Sequence, residues 1–318
     1  MQVKFWGCRG SLPSSYKSET AENAIRFALT KAISVGLNQN TDLDGFIQSL
    51  PFGVKSTYGT NTPCVEIIGG SEIIICDAGS GIRDLGKSLA STRNQKPKVI
   101  NLLMSHLHWD HIQGFPFFIP AYMQGTSIKI WGCHAELEDA FVKQQSIPFF
   151  PVSLKDMGGN ISFHMIDTDD EIEIGGIKIN VLKQPHPGMS YGYSFRAADK
   201  KIVYSTDVEH TEDFESEQNP FIRFYKDADI LIIDGQFNLA DHLHTKQNWG
   251  HSSNLIAIEM AVQATAKKLC LFHSDHLLDD MQLDKFLADS VRYKEIYDPN
   301  STMEILLAYD GMLLDTNP

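Results

Sequence analysis

The sequence predicts a mixed α and β fold in which two β-sheets pack face to face beneath outer helices. Short runs rich in Val, Ile, Leu and Phe recur along the chain. Most are bounded by Gly, Pro, Asp or Asn, which is typical of β-strands. Longer stretches with helical spacing are fewer and lie near the ends of two strand-rich halves. This order favours two packed sheets over a strictly alternating parallel sheet.

The predicted strands follow from the short apolar runs, and the predicted helices follow from the helical spacing of apolar residues. The runs with the strand pattern are QVKFW, CVEII, SEIIIC, KVINLLM, SIKIW, IKINVL, YGYSF, KIVY, DILIID, KKLCLF and MEILLA. Helical spacing of apolar residues predicts helices over Ser18 to Val35, about Ala135 to Lys143, Ser252 to Ala266 and about Met281 to Tyr297. We expect a single domain over residues 1–318.

Residues 14–56 are predicted to form a helical insertion in this domain. An apolar stripe at helical spacing, which Gly36 ends, consists of Ala21, Ala24, Ile25, Ala28, Leu29, Ala32 and Ile33. A shorter pattern of Leu43, Phe46, Ile47 and Leu50 precedes Pro51. The insertion could act as a lid, as a contact in a homo-oligomer or as ordinary packing, and the sequence leaves these three open.

Composition excludes several classes of protein. Hydrophobic residues make up 42% of the 318 residues and charged residues 21%, which is typical of a globular chain. The net charge of -13 and the absence of like-charge blocks argue against a duplex nucleic acid partner. Five scattered cysteines without a C-x-x-C pair indicate reduced thiols and a cytoplasmic location. We expect neither a signal peptide nor a membrane span.

The strongest chemical signal is the segment SHLHWDHIQG, which follows the apolar run VINLLM. It places His106, His108, Asp110 and His111 within six residues at the end of a predicted strand. Residues two apart in such a turn can converge, so His106 and His108 can bind one cation while Asp110 and His111 face a second. Imidazole and carboxylate ligands suit zinc, and also admit manganese or iron.

Other predicted strand ends offer the remaining ligands for two metal ions. His186 would complete the first set and His273 the second. Asp207 could bridge the ions, because a carboxylate spans cations roughly 3.5 to 4 Å apart. His276 competes with His273 as the second-metal ligand.

His251 stands directly before a predicted helix, with Ser252 or Ser253 as its N-cap. A helix N-terminus attracts anions such as phosphate, and a histidine there could protonate a leaving oxygen. Capping alone is the other interpretation.

Several segments in this order resemble the metallo-β-lactamase-fold hydrolases: MQVKFWGCRGSLP, YGTNTPCVEI, CDAGSGIRDLG, SHLHWDHIQGFPFF, PFFPV, HPGMSYGYSF, YSTD, DGQF, WGHSS and LFHSDH. The chain is most similar to the phosphodiesterase branch related to ribonuclease Z and cyclic-nucleotide phosphodiesterase-like enzymes. The resemblance implies an α+β, four-layer αββα sandwich with two metal ions at one sheet edge. It also implies that His106, His108 and His186 hold one ion, that Asp110, His111 and His273 hold the other, and that Asp207 bridges them.

Two departures from the family pattern affect these expectations. Members often read F-H-H-D-P where this chain has Phe272 to His276, so the choice between His273 and His276 stays open. The basic, glycine-rich arm with which ribonuclease Z holds transfer RNA has no counterpart here. Small or short nucleotide phosphodiesters are therefore preferred as substrates over transfer RNA.

Other motifs are weaker. Residues 81–88 satisfy the P-loop expression, with the run ending at Asp234 as a Walker B strand, but Asp84 would put a carboxylate among phosphates. Apolar residues there at helical spacing favour a packed helix. Asp241 to His244 repeats the H-x-H spacing and is interpreted as a solvated loop. His134, His164 and His210 have no companion pattern.

The function we expect is dinuclear metal-dependent phosphodiester hydrolysis, with Asp110 orienting an activated water and His251 assisting the leaving group. The segments Phe115 to Phe118 and Pro148 to Val152 could wall the site or simply pack. A metal-dependent acyl hydrolase acting on a lactone, thioester or β-lactam is the main alternative. An oxidoreductase is disfavoured because His108 stands where that chemistry uses a carboxylate, and a non-catalytic binding module is disfavoured because no ligand is evidently missing.

Overall fold

Every apolar run that predicted a strand forms one, and most of the strands assemble into two seven-stranded sheets. The structure is a computed structural model that describes residues 1–91, 99–210, 219–237 and 250–317. Strands β1 to β16 span, in chain order, Gln2–Gly7, Arg9–Gly10, Cys64–Ile68, Ile73–Cys76, Val99–Leu103, Ser127–Gly132, Asn160–Met165, Glu171–Ile174, Ile177–Gln184, Ser190–Ala197, Lys200–Ser205, Ile230–Asp234, Lys268–Phe272, Ser274–Asp275, Glu304–Leu307 and Leu313–Asp315.

The helices lie outside the sheets or in the connections between strands. In the described residues, α1 to α9 span Ser18–Ser34, Leu43–Gln48, Phe52–Lys55, Ile82–Ser91, Trp109–Ile112, Leu137–Gln144, Pro220–Tyr225, Asn254–Gln263 and Asp280–Tyr297. The four predicted helices correspond to α1, α6, α8 and α9. The two sheets flanked by helices confirm the predicted α+β sandwich.

The two large sheets have the same organisation. The first has the order β16-β1-β3-β4-β5-β6-β7 and the second has the order β15-β13-β12-β11-β10-β9-β8. Their inner faces share one core, in which Phe5 and Ile67 of the first sheet belong with Tyr193, Ile202 and Phe272 of the second. Burial of these large apolar side chains from both sheets is the main stabilisation of the sandwich.

Parallel pairing brings the functional strand ends together. In the first sheet, β4 pairs in parallel with β5, and in the second, β11, β12 and β13 are parallel neighbours. The carboxyl ends of parallel strands lie at the same edge, so the residues that follow them share that edge. A short pairing of β14 with β2 joins the end of β13 to the loop after β1.

The insertion over residues 14–56 contains α1, α2 and α3. The apolar stripe of α1 is not buried as a whole, as it would be in a simple amphipathic helix. Ala24 is buried, whereas Ile25, Leu29 and Ile33 are 61%, 60% and 81% exposed. A small side chain of α1 therefore packs on the protein while its large aliphatic side chains face outward. The lid and homo-oligomer interpretations, like the single domain over residues 1–318, stay predictions.

The P-loop-like stretch lies mainly in α4. Ile82 and Leu85 are fully buried in the core outside the first sheet, and a Cβ on Gly86 would lie 2.8 Å from the Phe118 ring. This packing is the helical alternative that the sequence favoured.

The five cysteines are free thiols, four of them buried. Among the described helices, none combines the length and the apolar character that crossing a membrane requires.

A buried ion pair connects the loop after β1 to the last long helix. Nη2 of Arg9 lies 3.4 Å from Oδ1 of Asp280, and both side chains are 3% exposed. Asp280 also accepts a hydrogen bond from the backbone N–H of Tyr58, and Arg9 donates to the carbonyl oxygens of Gly59 and Leu278. These contacts fix the N-terminal loop near the shared sheet edge.

We expect Asp280→Ala to lower the free energy of unfolding by about 3–5 kcal/mol, because the Arg9 guanidinium would stay buried without its partner. Asp289→Ala, on an exposed face of the same helix, is the matched control and should change it by less than about 0.5 kcal/mol. Denaturant unfolding measures both, and equal effects of the two variants would contradict this role for the ion pair.

Candidate metal centre

Six histidines and three aspartates gather near the edge where the carboxyl ends of β5, β11, β12 and β13 meet. Among the described residues, four overlapping groups have ligand atoms within 4.8 Å of one another. Together these groups contain His106, His108, Asp110, His111, His186, Asp207, Asp234, His251 and His273. The structure thus brings together the seven residues that the sequence analysis assigned as metal ligands, together with His251, whereas the alternative ligand His276 is in none of the groups.

The first group contains His106, His108 and His186. Nδ1 of His108 and Nε2 of His186 lie 3.1 Å apart, and the His106 ring lies 4.5 and 4.8 Å from the other two rings between centroids. Nε2 of His106 is buried and has no hydrogen-bond partner among the described residues. His108 is the exposed member, so the group opens to solvent on its side.

The second group contains Asp110, His111 and His273. Nε2 of His111 lies 3.3 Å from Nε2 of His273, and Oδ2 of Asp110 lies 3.5 and 3.2 Å from these two atoms. His276 belongs to none of the four groups, and its Nδ1 lies 3.6 Å from Asp275. The structure therefore brings His273 to the cluster and leaves His276 outside it.

Asp207 lies between the two groups. Its Oδ2 is 3.7 and 3.8 Å from Nε2 of His106 and His186, whereas its Oδ1 is 3.3 and 3.4 Å from Nε2 of His111 and His273. The two oxygens of one carboxylate thus face the two groups separately, which is the arrangement that a bridging ligand requires.

Backbone strain accompanies this convergence. Asp77, Asp207 and His273 have φ values of 61°, 51° and 61°, in the left-handed region that favours glycine. Each follows the end of a strand, so the strained residue turns its side chain toward the shared edge. Strain of this kind costs about 1–3 kcal/mol per residue and is concentrated at functional sites.

Asp77 is a supporting residue that the sequence analysis missed. It is fully buried and accepts hydrogen bonds from Nδ1 of His111 at 2.8 Å, from the Ser105 backbone and hydroxyl, and from the Tyr204 hydroxyl. Because His111 faces Asp77 through Nδ1, its Nε2 points into the cluster and would be the atom that ligates a metal. The CDAGSG segment that carries Asp77 contributed to the family resemblance, and that segment was the available signal.

Asp234 is the second residue whose role the sequence analysis missed. It was considered there only as the end of a possible Walker B strand. Its Oδ2 accepts a hydrogen bond of 2.7 Å from Nδ1 of His251. Burial alone would lower the pKa of His251, but the carboxylate of Asp234 outweighs it and raises that pKa to about 9. Ser253, not Ser252, caps the helix that follows. His251 therefore has a fixed orientation, with Nδ1 facing the carboxylate of Asp234.

Two glycines allow the imidazoles to approach the backbone. A Cβ on Gly10 would lie 2.5 Å from Nδ1 of His273, and a Cβ on Gly250 would lie 2.3 Å from Nδ1 of His186. Gly250 has a φ of 87°, and its carbonyl oxygen accepts a hydrogen bond of 2.8 Å from His186 Nδ1. That bond directs Nε2 of His186 into the first group.

Burial and charged neighbours shift the pKa values of the cluster in different directions. The carboxylates of Asp207, Asp110 and Asp77 raise the pKa of His111 although burial opposes this. Burial lowers the pKa of His106 well below its usual value, and burial likewise lowers that of His186, so both rings are neutral as ligation requires. The pKa values of Asp110 and Asp207 are lowered although burial opposes this, because His111 and His273 lie beside them.

The buried carboxylates of this cluster are faced mainly by imidazole nitrogens, and burial of negative charge is costly unless a cation compensates it. The imidazole nitrogens and carboxylate oxygens that could ligate a metal face one another at distances of about 3.1 to 3.8 Å. The residues present therefore fit divalent cations, and their ligand types suit first-row metals.

The predicted apolar wall is wrong for two of its residues and stays a prediction for the others. Phe115 and Phe118 are fully buried core residues, so they cannot line a mouth. Phe117 and Phe149 are exposed, and the Phe117 ring makes an edge contact with Phe150.

The remaining histidines lie apart from the four groups. His134 contacts the Met189 carbonyl, His164 stacks on Trp131, and His210 contacts Phe221 and Tyr225. The Asp241 to His244 segment lies outside the described residues.

Residues 73–274, more than half of the chain, match the beta-lactamase superfamily domain. The chain belongs to this superfamily. It is 28% identical over 214 residues to the probable metallo-hydrolase YhfI of Bacillus subtilis, covering 65% of this chain and 77% of that protein. It is 26% identical over 260 residues to ribonuclease Z of Sulfurisphaera tokodaii, and the match covers 72% of this chain and 86% of that protein.

Solved structures show the same fold. Yeast PDE1 superposes with a TM-score of 0.62 over 98% of both chains at 14% identity, which shows shared architecture alone. The superfamily, these relatives and the His/Asp cluster make the chain a metallo-hydrolase of the branch that includes ribonuclease Z, and they imply divalent metal ions.

We expect two metal ions per chain in the protein, and about one in His186→Ala or His273→Ala, because each variant removes a ligand from a different group. His276→Ala is the matched control and should keep both ions. Metal content by plasma mass spectrometry after dialysis measures this, and loss of an ion from His276→Ala with retention in His273→Ala would reverse the assignment.

Proposed function

We propose that the protein is a dinuclear metal-dependent phosphodiesterase that hydrolyses a phosphodiester of a nucleotide, either a cyclic nucleotide or a short RNA end. The observation that carries this proposal is the Asp234–His251 pair beside two adjacent ligand groups. A phosphodiester needs charge compensation at the phosphate and a proton for the departing alkoxide, and the cluster offers residues for both. Similarity to a relative named ribonuclease Z supports the same class.

His106, His108 and His186 would hold one ion, Asp110, His111 and His273 the other, and Asp207 would contact both. Zinc is the metal we propose, with manganese or iron also compatible with these ligands. When bound, two such cations supply Lewis acidity toward the phosphate oxygens and activate water near neutral pH.

The residues of the chain divide the remaining tasks. The phosphate enters from the side of the exposed His108. Asp110, held by the Ser11 backbone N–H at 2.8 Å, orients the attacking water through its carboxylate. His251 keeps its Nδ1 proton on Asp234, so Nε2 is the atom that donates a proton to the leaving oxygen.

The alternative, acyl hydrolysis, uses the same scaffold but has less need of this donor. Lactones, thioesters and β-lactams present a neutral carbonyl group rather than the anionic phosphate to which a histidine beside the two ligand groups could donate a hydrogen bond. His251 therefore distinguishes the two chemistries.

We expect metal-reconstituted protein to hydrolyse bis(p-nitrophenyl) phosphate, and Asp110→Ala to lower kcat about 10²- to 10⁴-fold, the range for a lost general acid or base. His251→Ala should lower kcat toward the bottom of that range, because p-nitrophenolate is a good leaving group that depends less on a proton donor. His164→Ala removes a histidine that stacks on Trp131 and should keep wild-type turnover. Initial rates of p-nitrophenol release measure these effects.

Metal-loaded protein that leaves this diester intact but opens a lactone or nitrocefin would contradict the phosphodiesterase assignment in favour of acyl hydrolysis. Full activity of His251→Ala toward the diester would remove the proposed role of the Asp234–His251 pair.

A further inference from the structure

Gln236 lies between the two side chains to which the proposed function gives catalytic roles. It follows β12 two residues after Asp234 and is 4% exposed. Its backbone N–H donates a hydrogen bond of 3.0 Å to Oδ1 of Asp234, the carboxylate whose other oxygen holds His251. Gln236 thus contacts the support of the proposed proton donor directly.

The side chain of Gln236 points toward the other catalytic residue. Its Nε2 donates a hydrogen bond of 3.3 Å to the hydroxyl of Ser11. Ser11 has a φ of 65°, and this strained conformation directs its backbone N–H to Oδ2 of Asp110 at 2.8 Å. A continuous series of hydrogen bonds therefore runs from Asp110 through Ser11 and Gln236 to Asp234 and His251.

This series crosses from one sheet to the other. Asp110 belongs to the connection after β5 of the first sheet, whereas Asp234 ends β12 of the second. Ser11 follows β2, which pairs with β14 rather than with either large sheet. The relative position of Asp110 and His251 consequently depends on a contact between segments that do not share a sheet.

The amide of Gln236 contributes little to the stability of the fold by comparison with another buried glutamine near the site. Both amide atoms of Gln184 are bonded, with Nε2 donating to Ser190 and Thr206 and Oε1 accepting from Ser205. Oε1 of Gln236 is buried without a hydrogen-bond partner among the described residues. An apolar side chain of the same size would therefore remove one hydrogen bond and one unpaired acceptor together.

We propose that Gln236 is a positioning residue, which fixes the water-orienting Asp110 relative to the proton donor His251 through Ser11 and Asp234. This inference rests on the proposed function. Gln236 itself exchanges no proton and binds no metal. Its loss would leave both ligand groups in place but would loosen the relation between the two reacting groups.

The test is Gln236→Met in the full metal-loaded protein, with Gln145→Met as the matched control. Gln145 is also buried with an unpaired Oε1, but its Nε2 contacts Met157 outside the series. We expect Gln236→Met to keep its metal content and melting temperature, while kcat for bis(p-nitrophenyl) phosphate falls about three- to tenfold at unchanged KM, the effect of one lost hydrogen bond. Gln145→Met should keep wild-type kcat.

A second substrate separates positioning from a general loss of structure. Diphenyl phosphate has a poorer leaving group than the p-nitrophenyl ester and depends more on proton donation. The fall in kcat for Gln236→Met should therefore be larger for diphenyl phosphate. An equal fall for both substrates, a fall in Gln145→Met of the same size, or loss of metal from Gln236→Met would overturn the inference.

A spectroscopic readout makes the result independent of turnover. The downfield proton resonance of His251 Nδ1, identified by its loss in His251→Ala, should shift in Gln236→Met and stay in place in Gln145→Met. If the wild type hydrolyses neither diester, the proposed function fails, and this resonance still decides the inference: an unshifted signal in Gln236→Met overturns it.

Discussion

The structure of the site depends on the burial of one carboxylate, Asp207, between two groups of imidazoles. Its two oxygens face opposite groups, and it is 2% exposed. A carboxylate in such a position is stable only if positive charge or hydrogen-bond donors surround it. The carboxylates raise the pKa of His111, so a protonated His111 can supply part of that charge. Bound cations would supply it when the imidazoles act as neutral ligands.

The surrounding residues make this burial possible. Asp77 and the Gly250 carbonyl accept the outward protons of His111 and His186, which fixes the Nε2 atoms of both rings toward Asp207. Strained backbone at Asp77, Asp207 and His273 turns three strand ends toward one point. The sandwich core, in which both sheets bury large aromatic and aliphatic side chains, stabilises the fold enough to hold this strain.

Much of this arrangement follows from local sequence pattern. The strands and the main helices follow from apolar periodicity, and the H-x-H-x-D-H segment identifies its own four donors without knowledge of the fold. His186, Asp207 and His273 could be proposed because each ends an apolar run, and parallel strand ends share an edge.

What the sequence did not predict depends on contacts between distant segments. Asp77 and Asp234 act through rings that lie 34 and 17 residues away along the chain, and only the family resemblance of the segments that carry them, CDAGSG and DGQF, was a signal in the sequence. The sequence also left open which way Ile25, Leu29 and Ile33 face, because helical spacing defines a stripe but not which part of it meets the protein. The burial of Phe115 and Phe118 could not be predicted either. Composition shows that their segment is apolar, but packing in the folded protein decides which rings remain exposed.

A crystal structure of the metal-loaded protein, with anomalous scattering recorded at the absorption edge of the bound element, would show whether Asp207 lies between two ions. We expect two peaks, one on each side of the Asp207 carboxylate, with His106, His108 and His186 around the first and Asp110, His111 and His273 around the second. A single peak, or two peaks of which neither contacts Asp207, would contradict this assignment.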